Sequence, residues 1–461
     1  MSNIPIALGR WAVVCLALLA GLRAAPSSAP PNIVFILADD VGYGEIGCYG
    51  QREIQTPHID RLAAEGVRFT QFYAGSTVCA PSRSVLMTGL HNGHGRVRDN
   101  LPHGVHLTAD DLTAAEILRR QGYRTGAMGK WSLGQHDDAG APWRQGFEEF
   151  FGYVDQDHAH SYHTDFLWDN DRRIELAANR DDRRQVYVPH LLLDRALEFL
   201  DRARSDRRPF FLYYPTNLPH KSEHSPRSPD AFIVPSDRPY TNRDWPQVEK
   251  NYAAMVTLID EQVGRMLDRL RTLGLENNTL VIFSSDNGPY GGSIHRTEFF
   301  QGAGPLRGLK RDMYEGGIRV PTIARWPGVI APGRVDDTVA GFVDFLPTVA
   351  ELAGAEIPAG LDGVSFAPVL RGQPRRQVPE YYYWDYGHVR AKFRQALRAG
   401  DWKAVRNGRK SPLELYDLST DLAEVHDVAA RHPDVVARLT GLLEEAYVPS
   451  PDYPPPAKRA R

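Results

Sequence analysis

Several uninterrupted apolar runs of strand length constrain the fold of this 461-residue chain more than any other feature. Residues 33–37 read IVFIL, and residues 209–214 and 279–283 repeat the pattern. Because these runs do not alternate with polar residues, each predicts a strand that is covered on both faces, as in a parallel sheet. The first and third runs are each followed by an acidic turn, which contains Asp39 and Asp40 in one case and Asp286 in the other.

Segments with helical spacing lie between the strand-like runs. Residues 112–120 and 252–270 carry apolar residues on one helical face, whereas residues 215–248 are rich in Pro, Ser, Asn and Arg and indicate a long surface loop. Strands that alternate with helices predict an α/β fold, a doubly wound and mostly parallel sheet flanked by helices. We expect this catalytic domain to span residues 32–375.

The composition shifts near residues 372–379, and a smaller C-terminal domain is expected beyond that point. Residues 380–386 and 393–405 alternate like edge-exposed antiparallel strands, and residues 435–447 have the pattern of an amphipathic helix. We therefore predict an α+β domain with an antiparallel sheet over residues 376–448. Residues 449–461 are expected to form a disordered tail.

The N-terminal segment predicts export. Arg10, the apolar residues 11–22 and the small residues before position 26 fit a signal peptide over residues 1–25; an uncleaved anchor is the alternative. We expect a secreted or periplasmic protein with no stable membrane span after signal cleavage.

The net charge of −3 argues against nucleic-acid binding. Of three cysteines, Cys15 leaves with the signal, so Cys48 and Cys79 allow at most one disulfide.

The acidic turns predict a cation site. Because parallel strands bind ligands at their carboxyl ends, Asp39, Asp40 and Asp286 should meet at one edge of the sheet. With Asn287 they offer the oxygen ligands that a hard divalent cation prefers, although an Asp-Asp pair at a strand end could also cap a helix. Cys79 lies in a different segment, and on its own it would be read as a buried structural thiol.

One motif resembles the signature of a known family. The segment 79–83, CAPSR, followed by Thr88 and Gly89, resembles the signature of the formylglycine-dependent, arylsulfatase-like sulfatases of the alkaline-phosphatase-like superfamily. The resemblance extends from residue 32 to about residue 447. It includes the segments 32–40 (NIVFILADD), 56–60 (TPHID), 129–131 (GKW), 219–220 (PH), 285–288 (SDNG), 304–310 (GPLRGLK) and 314–319 (YEGGIR).

The resemblance implies a sulfuric ester hydrolase. A formylglycine-generating enzyme would oxidise Cys79 to an aldehyde, one hydroxyl of the hydrated aldehyde would attack sulfur, and the second would later expel sulfate. The resemblance further implies that Arg83 holds the site together, that Lys130 and Lys310 contact sulfate, and that His220 protonates the leaving oxygen. The implied cation is Ca²⁺ in preference to Mg²⁺, with these positions as its ligands: Asp39, Asp40, the modified Cys79, Asp286 and Asn287.

The chain departs from the family pattern at Ser132, where many sulfatases have a histidine. A hydroxyl is a poor base near neutral pH, so His158, His160 or water is expected to assist sulfate elimination, and Ser132 itself could hydrogen-bond the substrate. The His-x-His pair at 158 and 160 could also suggest zinc, but the sequence offers no third ligand at a sensible spacing. His295 and Arg311, which flank Lys310, could line the same pocket.

The segment 150–168 is rich in aromatic, histidine and acidic residues, which suits a sulfated carbohydrate. The sequence thus predicts an exported sulfatase that acts on sulfated carbohydrate. Two other functions stay open: a phosphonate or phosphodiester hydrolase of the same superfamily, and a non-catalytic protein that binds sulfated glycans.

Overall fold

The computed structural model describes residues 29–100, 104–223, 230–389 and 392–453, so the expected signal peptide lies outside the described residues. Strands and helices are numbered separately in chain order. The strands are β1 (Asn32–Ala38), β2 (Val67–Phe69), β3 (Phe72–Tyr73), β4 (Arg124–Lys130), β5 (Glu149–Tyr153), β6 (Phe166–Asp169), β7 (Arg172–Glu175), β8 (Phe210–Pro215), β9 (Thr279–Ser285), β10 (Thr322–Arg325), β11 (Arg334–Asp336), β12 (Ala340–Gly341), β13 (Tyr382–Tyr386), β14 (Arg394–Ala399), β15 (Trp402–Arg406) and β16 (Glu414–Asp417). The α-helices are α1 (Pro57–Ala64), α2 (Cys79–Thr88), α3 (Ala114–Arg120), α4 (Val188–Asp206), α5 (Gln247–Thr272), α6 (Glu315–Ile318), α7 (Phe345–Leu352), α8 (Ala367–Leu370) and α9 (Pro433–Glu445).

A ten-stranded mixed sheet forms the centre of the molecule, in the order β11-β2-β10-β9-β1-β8-β4-β5-β6-β7. Its middle is parallel: β1 pairs with β9 and β8, and β4 pairs with β8 and β5. Strand β10 joins β9 and β2 in antiparallel register, and β6 joins β5 in the same way. The predicted α/β fold with a mostly parallel sheet is confirmed.

The alternate side chains of β1 enter two different cores, which explains why this strand is apolar throughout. Ile33, Phe35 and Leu37 pack into the core that contains residues of α2, α3 and α7. Val34 and Ile36 pack on the opposite face, against residues of α1, α4 and α5. Covering both faces with helices is what a doubly wound sheet requires.

A separate antiparallel sheet of β13, β14, β15 and β16 lies in the C-terminal part of the chain, as predicted. The segment 393–405 is a hairpin rather than one strand, because Gly400 takes a positive φ of 62° between β14 and β15. These strands are largely buried rather than edge-exposed. Leu397 packs against α9, whereas its neighbour Ala396 belongs to the core of the main sheet.

The structure describes the expected tail as far as Tyr453, whose side chain is buried. Arg98 donates its backbone N–H to the Tyr453 hydroxyl at 3.0 Å and its guanidinium to the carbonyl of Val448 at 2.7 Å. Residues 449–453 therefore pack against the loop that follows α2. Among the described residues, no helix has the length and apolar character needed to span a membrane.

Candidate active site

The three predicted carboxylates meet at the carboxyl end of two neighbouring strands. Asp39 and Asp40 follow β1, and Asp286 follows β9, which pairs with β1 in parallel register. Asp40 donates its backbone N–H to Asp286 Oδ1 at 3.2 Å, and Asn287 Nδ2 donates to Asp40 Oδ1 at 2.8 Å. Asp40 also has a φ of 74°, a strained conformation that is typical of functional sites. The sequence prediction that Asp39, Asp40, Asp286 and Asn287 lie together is thus reproduced in space.

Cys79 is the first residue of α2, and the motif around it builds this helix. Ser82 accepts the backbone N–H of Gly75 at 3.0 Å, which fixes the turn that leads into the helix. Pro81 occupies the first helical turn, where no backbone N–H is needed for the helix. Gly89 ends the helix with a φ of 69°, a left-handed conformation that favours glycine. These residues fix where the Cys79 side chain points.

The Cys79 side chain is fully buried against the carboxylates. Its Sγ lies 3.2 Å from Asp39 Oδ1, 4.0 Å from Asp40 Oδ1 and 3.5 Å from Lys310 Nζ. Burial and the nearby negative charges of Asp286 and Asp39 raise the pKa of the thiol to about 12. The unmodified side chain is therefore a neutral thiol near pH 7 and a poor nucleophile.

Three buried cations surround the carboxylates. The Arg83 guanidinium donates through Nε and Nη2 to Asp286 Oδ2, at 3.1 and 2.8 Å, and through Nη1 to the carbonyl of Lys130 at 2.6 Å. Lys130 Nζ lies 2.8 Å from Asp39 Oδ2. Lys310 Nζ bridges both oxygens of Asp40, at 2.6 and 2.7 Å. We call these six residues the charged cluster: Asp39, Asp40, Asp286, Arg83, Lys130 and Lys310.

The pKa values in the charged cluster follow from burial and the neighbouring charges. Burial raises the pKa of Asp39, but the positive charges of Lys130 and Arg83 more than offset this and hold it well below its usual value. The pKa of Asp40 is lowered because Lys310 likewise outweighs the effect of burial. In Asp286, burial and the negative charge of Asp39 outweigh Arg83, so its pKa rises to about 7.

The donor set fits a hard divalent cation. Asp39, Asp40, Cys79 and His220 bring their ligand atoms within 4.8 Å of one another. The Oδ1 atom of Asn287 is buried beside Asp40 and has no hydrogen-bond partner in the described part of the chain. A buried acceptor without a partner next to carboxylate oxygens suits a cation that prefers oxygen ligands.

Two histidine rings close one side of the site. His220 Nε2 lies 3.5 Å from Asp40 Oδ2, and its Nδ1 lies 2.7 Å from the carbonyl of Lys221. His160 stacks on His220, with ring centroids 4.0 Å apart and ring planes 4° apart. Burial and the positive charge of Lys310 lower the pKa of His220 to about 4. The His220 ring is therefore neutral near pH 7.

The side from which a substrate can approach is marked by small differences in exposure. Ser132, His160, His220 and Lys310 keep 5–6% of their surface exposed, whereas the other members of the charged cluster are completely buried. Ser132 has a φ of 70°, and its buried Oγ lacks a hydrogen-bond partner among the described residues. We call these four residues the mouth of the site.

Other predicted pocket residues lie at different depths. His158 Nε2 bonds Thr164 Oγ1 at 2.7 Å, and its ring stacks on Phe166. His295 is fully buried, where it pairs with Glu249 and stacks on Tyr252 at 3.9 Å, and it therefore does not line an open pocket. His295 is buried because residues of α5 cover the loop around it, a contact that the sequence pattern did not reveal.

Arg311, which follows Lys310, is exposed and has a φ of 78°. It interacts electrostatically with Tyr386, Asp40 and Cys79, so it lies at the rim of the site.

The sequence did not indicate a role for Asn100, whose Oδ1 accepts the backbone N–H of Ala80, one residue after Cys79, at 2.9 Å. No local sequence signal marks Asn100, because its partner lies twenty residues away.

A buried thiol, acidic and basic side chains and two histidines at the carboxyl edge of a doubly wound sheet define an α/β enzyme that acts on an anionic ester. The family profile described as Sulfatase matches residues 31–355, and the profile for the C-terminal part of N-sulphoglucosamine sulphohydrolase matches residues 309–447. The chain belongs to the sulfatase family of the alkaline-phosphatase-like superfamily, and it is a sulfuric ester hydrolase.

Relatives and solved structures agree with this family. The chain is 36% identical to arylsulfatase A of Homo sapiens, over 93% of this chain and 89% of that protein. It is 32% identical to N-acetylgalactosamine-6-sulfatase of Sus scrofa, over 86% and 75% of the two chains. The solved structure of Ps i-CgsB in complex with k-i-k-neocarrahexaose superposes with a TM-score of 0.75 at 27% identity, over 93% of this chain and 94% of that one.

Proposed function

We propose that this chain is an exported, calcium-dependent sulfatase that hydrolyses sulfate esters of carbohydrates through a formylglycine at position 79. The observation that carries the proposal is the contact of Cys79 Sγ with Asp39 and Lys310 inside the charged cluster. Export rests on the segment 1–25, which predicts a protein that is secreted or periplasmic.

The properties of the thiol support its replacement by an aldehyde. With a pKa of about 12, the Cys79 thiol provides little thiolate near pH 7. Formylglycine, as a hydrated aldehyde, would supply one hydroxyl whose oxygen bonds to sulfur while the S–O bond to the leaving alcohol breaks. Deprotonation of the second hydroxyl would then re-form the aldehyde and release sulfate. Because Cys79 is fully buried in the folded chain, we propose that the formylglycine-generating enzyme acts before the chain folds.

The charged cluster suits an anionic substrate. In their ionised forms its three carboxylates balance its three cations, so a divalent cation would give the site a net positive charge. Asp39, Asp40, Asp286 and Asn287 would hold that cation together with residue 79, and it would stabilise negative charge on the reacting oxygens. We propose Ca²⁺, because the carboxylates, Asn287 and the hydrated aldehyde at position 79 would all offer oxygen.

The two lysines would bind the sulfate group. Lys130 and Lys310 reach the cluster from β4 and from the loop after β9, so they approach residue 79 from different directions. Each ammonium supplies positive charge where negative charge accumulates in the transition state. Arg83 would not touch substrate; it ties Asp286 to the end of β4 and so fixes the geometry of the site.

His220 would act as the general acid. Its Nδ1 lies 2.7 Å from the carbonyl of Lys221, which can only accept, so Nδ1 donates there and Nε2 carries no proton in the neutral ring. To act as the acid, His220 must first take up a proton at Nε2, which lies 3.5 Å from Asp40 Oδ2. This Nε2 lies at the mouth, where the leaving oxygen of the ester would stand. Protonating an alkoxide leaving group there lowers the barrier to S–O bond cleavage.

A sulfated carbohydrate is the proposed substrate class. The relatives include an N-acetylgalactosamine-6-sulfatase, and the structure of Ps i-CgsB holds a neocarrahexaose. In this chain, the segment 150–168 contributes His160 to the mouth, and aromatic side chains of the same segment could stack on a sugar ring.

The test is sulfate release by protein that was co-produced with a formylglycine-generating enzyme. Sulfated monosaccharides, an aryl sulfate and an aryl phosphodiester are offered in parallel, with Ca²⁺ present. We expect free sulfate from at least one sulfated sugar and weaker turnover of the phosphodiester. Full conversion of Cys79 without any sulfate release would refute the proposal, and preferred phosphodiester cleavage would favour the phosphodiester hydrolase.

A further inference from the structure

His160 contacts two residues of the site, Lys130 and His220. Its Nε2 lies 3.3 Å from Lys130 Nζ, and its ring lies flat on His220 at 4.0 Å. Lys130 in turn contacts Asp39 at 2.8 Å. His160 therefore connects the ammonium that faces sulfate with the ring that faces the leaving oxygen.

The contact with Lys130 fixes the protonation of His160. A lysine ammonium carries three donors and no acceptor, so His160 Nε2 must present its lone pair to Lys130. The amide Nε2 of Gln156 also lies 3.3 Å from this nitrogen. Nδ1 therefore carries the ring proton, and the ring is neutral when Lys130 is charged.

The two histidines of the His-x-His pair are not equivalent. His158 bonds Thr164 and stacks on Phe166, whereas His160 turns inward to the mouth. Ser132, at the position where the family pattern has a histidine, presents a short side chain whose Oγ has no partner in the described part of the chain. His160 contacts Lys130, a member of the charged cluster, through its Nε2.

We propose that His160 is a positioning residue that holds Lys130 through Nε2 and supports His220 through its ring, and so takes over a part that Ser132 cannot perform. This inference rests on the proposed function, because it assigns Lys130 to the sulfate group and His220 to the leaving oxygen. The hydrogen bond and the ring contact are two separable contributions.

Two substitutions separate these contributions. His160→Phe keeps a flat ring against His220 but removes the acceptor for Lys130. His160→Gln keeps an acceptor, the amide oxygen, but removes the ring. His163→Phe is a matched control in the same segment, because His163 contacts the carbonyl of Val186 and the ring of Tyr187 instead of the cluster.

The substrates report which contribution is lost. An aryl sulfate leaves as a phenolate and needs little protonation, whereas a sugar sulfate leaves as an alcohol and depends on the general acid. For His160→Phe we expect kcat/KM to fall about 10-fold or more on both substrates, because both present the same sulfate to Lys130. For His160→Gln we expect a loss of about 10-fold or more on the sugar sulfate and within about 3-fold on the aryl sulfate.

The controls make failure of this inference distinguishable from failure of the proposed function. Conversion of Cys79 is measured by mass spectrometry in every sample, and thermal unfolding shows whether each variant folds. If the wild type releases sulfate but both His160 variants match the His163→Phe control, the inference is wrong. Equal losses on both substrates in both folded variants would also overturn it, because they would show a general structural role. A wild type that is fully converted yet inactive would instead refute the proposed function.

Discussion

Lys310 places its ammonium between the Asp40 carboxylate and the Cys79 side chain, 2.6 Å from Asp40 Oδ1 and 3.5 Å from Cys79 Sγ. All three side chains are buried, so the lysine compensates the buried negative charge of Asp40, in addition to the contact with sulfate that we propose for it. Removing one partner of a buried ion pair leaves an uncompensated charge, which typically costs about 3–5 kcal/mol.

Lys310→Met should therefore destabilise the calcium-free protein by about 3–5 kcal/mol. Because a cation bound at Asp40 would replace the missing charge, added Ca²⁺ should raise the free energy of unfolding of the variant more than that of the wild type. Denaturant unfolding with and without Ca²⁺ measures this difference. An identical calcium effect in the two proteins would show that Asp40 is not a calcium ligand.

Removal of divalent cations should lower both the melting temperature and the rate of sulfate release, and Ca²⁺ should restore both. Asn287→Leu should weaken calcium binding about 10-fold or more, since it removes the buried Oδ1 that has no hydrogen-bond partner among the described residues. Calorimetric titration with Ca²⁺ measures this affinity without depending on activity. Unchanged affinity in the variant would remove Asn287 from the ligand set.

His91 should make the protein less stable in acid. Burial lowers the pKa of His91 to about 4, below its ordinary value of 6.5, although the Asp362 carboxylate opposes this shift. Between pH 4 and 6.5 the unfolded chain binds a proton that the folded chain excludes, so stability falls as the pH falls through this range, by up to about 3 kcal/mol. His91→Gln should flatten that slope.

The control for this prediction is His94→Gln. His94 stacks on His91 at 4.3 Å and its side chain is 31% exposed, so this variant tests whether the loss of a neighbouring ring alone changes the slope. Urea unfolding at several pH values between 4 and 7 compares the three proteins. A His91→Gln slope equal to that of the wild type would mean that another buried group causes the acid lability.

Gly93 should be intolerant of a side chain, because the C-terminal segment lies against it. A Cβ at Gly93 would stand 1.8 Å from the carbonyl oxygen of Ala446, and Val448 donates its N–H to the Gly93 carbonyl at 3.2 Å. Gly93→Ala should therefore cost about 1–3 kcal/mol or more through overpacking.

The matched control is Gly441→Ala, on the exposed face of α9. A Cβ there meets no atom within 4 Å, so the change should stabilise the helix by about 0.5–1 kcal/mol. Thermal unfolding compares both variants with the wild type. Equal effects of the two substitutions would contradict the packing of the C-terminal segment on the 93–98 loop.

The sequence predicted those features that local patterns determine. The apolar run of β1 predicted a strand covered on both faces, and its alternate side chains indeed enter two cores. Strand ends followed by Asp39, Asp40 and Asp286 predicted a shared edge, because parallel neighbours bring their carboxyl ends together.

Tertiary contacts decided the rest. The sequence spacing did not show which of His158 and His160 reaches the site. In the folded chain, His158 bonds Thr164, whereas His160 contacts Lys130. His295 looked like a pocket residue beside Lys310, yet Glu249 on α5 holds it in the interior. The sequence did not reveal the turn at Gly400, because the alternating pattern continues from β14 into β15 on the other side of it.

Turnover should depend on an aldehyde made from Cys79. The most direct measurement compares preparations with graded conversion, in which mass spectrometry gives the fraction of formylglycine and ion chromatography gives the rate of sulfate release. We expect a rate proportional to the converted fraction, and no turnover for Cys79→Ser despite a nearly unchanged melting temperature. Sulfate release at full rate from unconverted protein, or from Cys79→Ser, would contradict it.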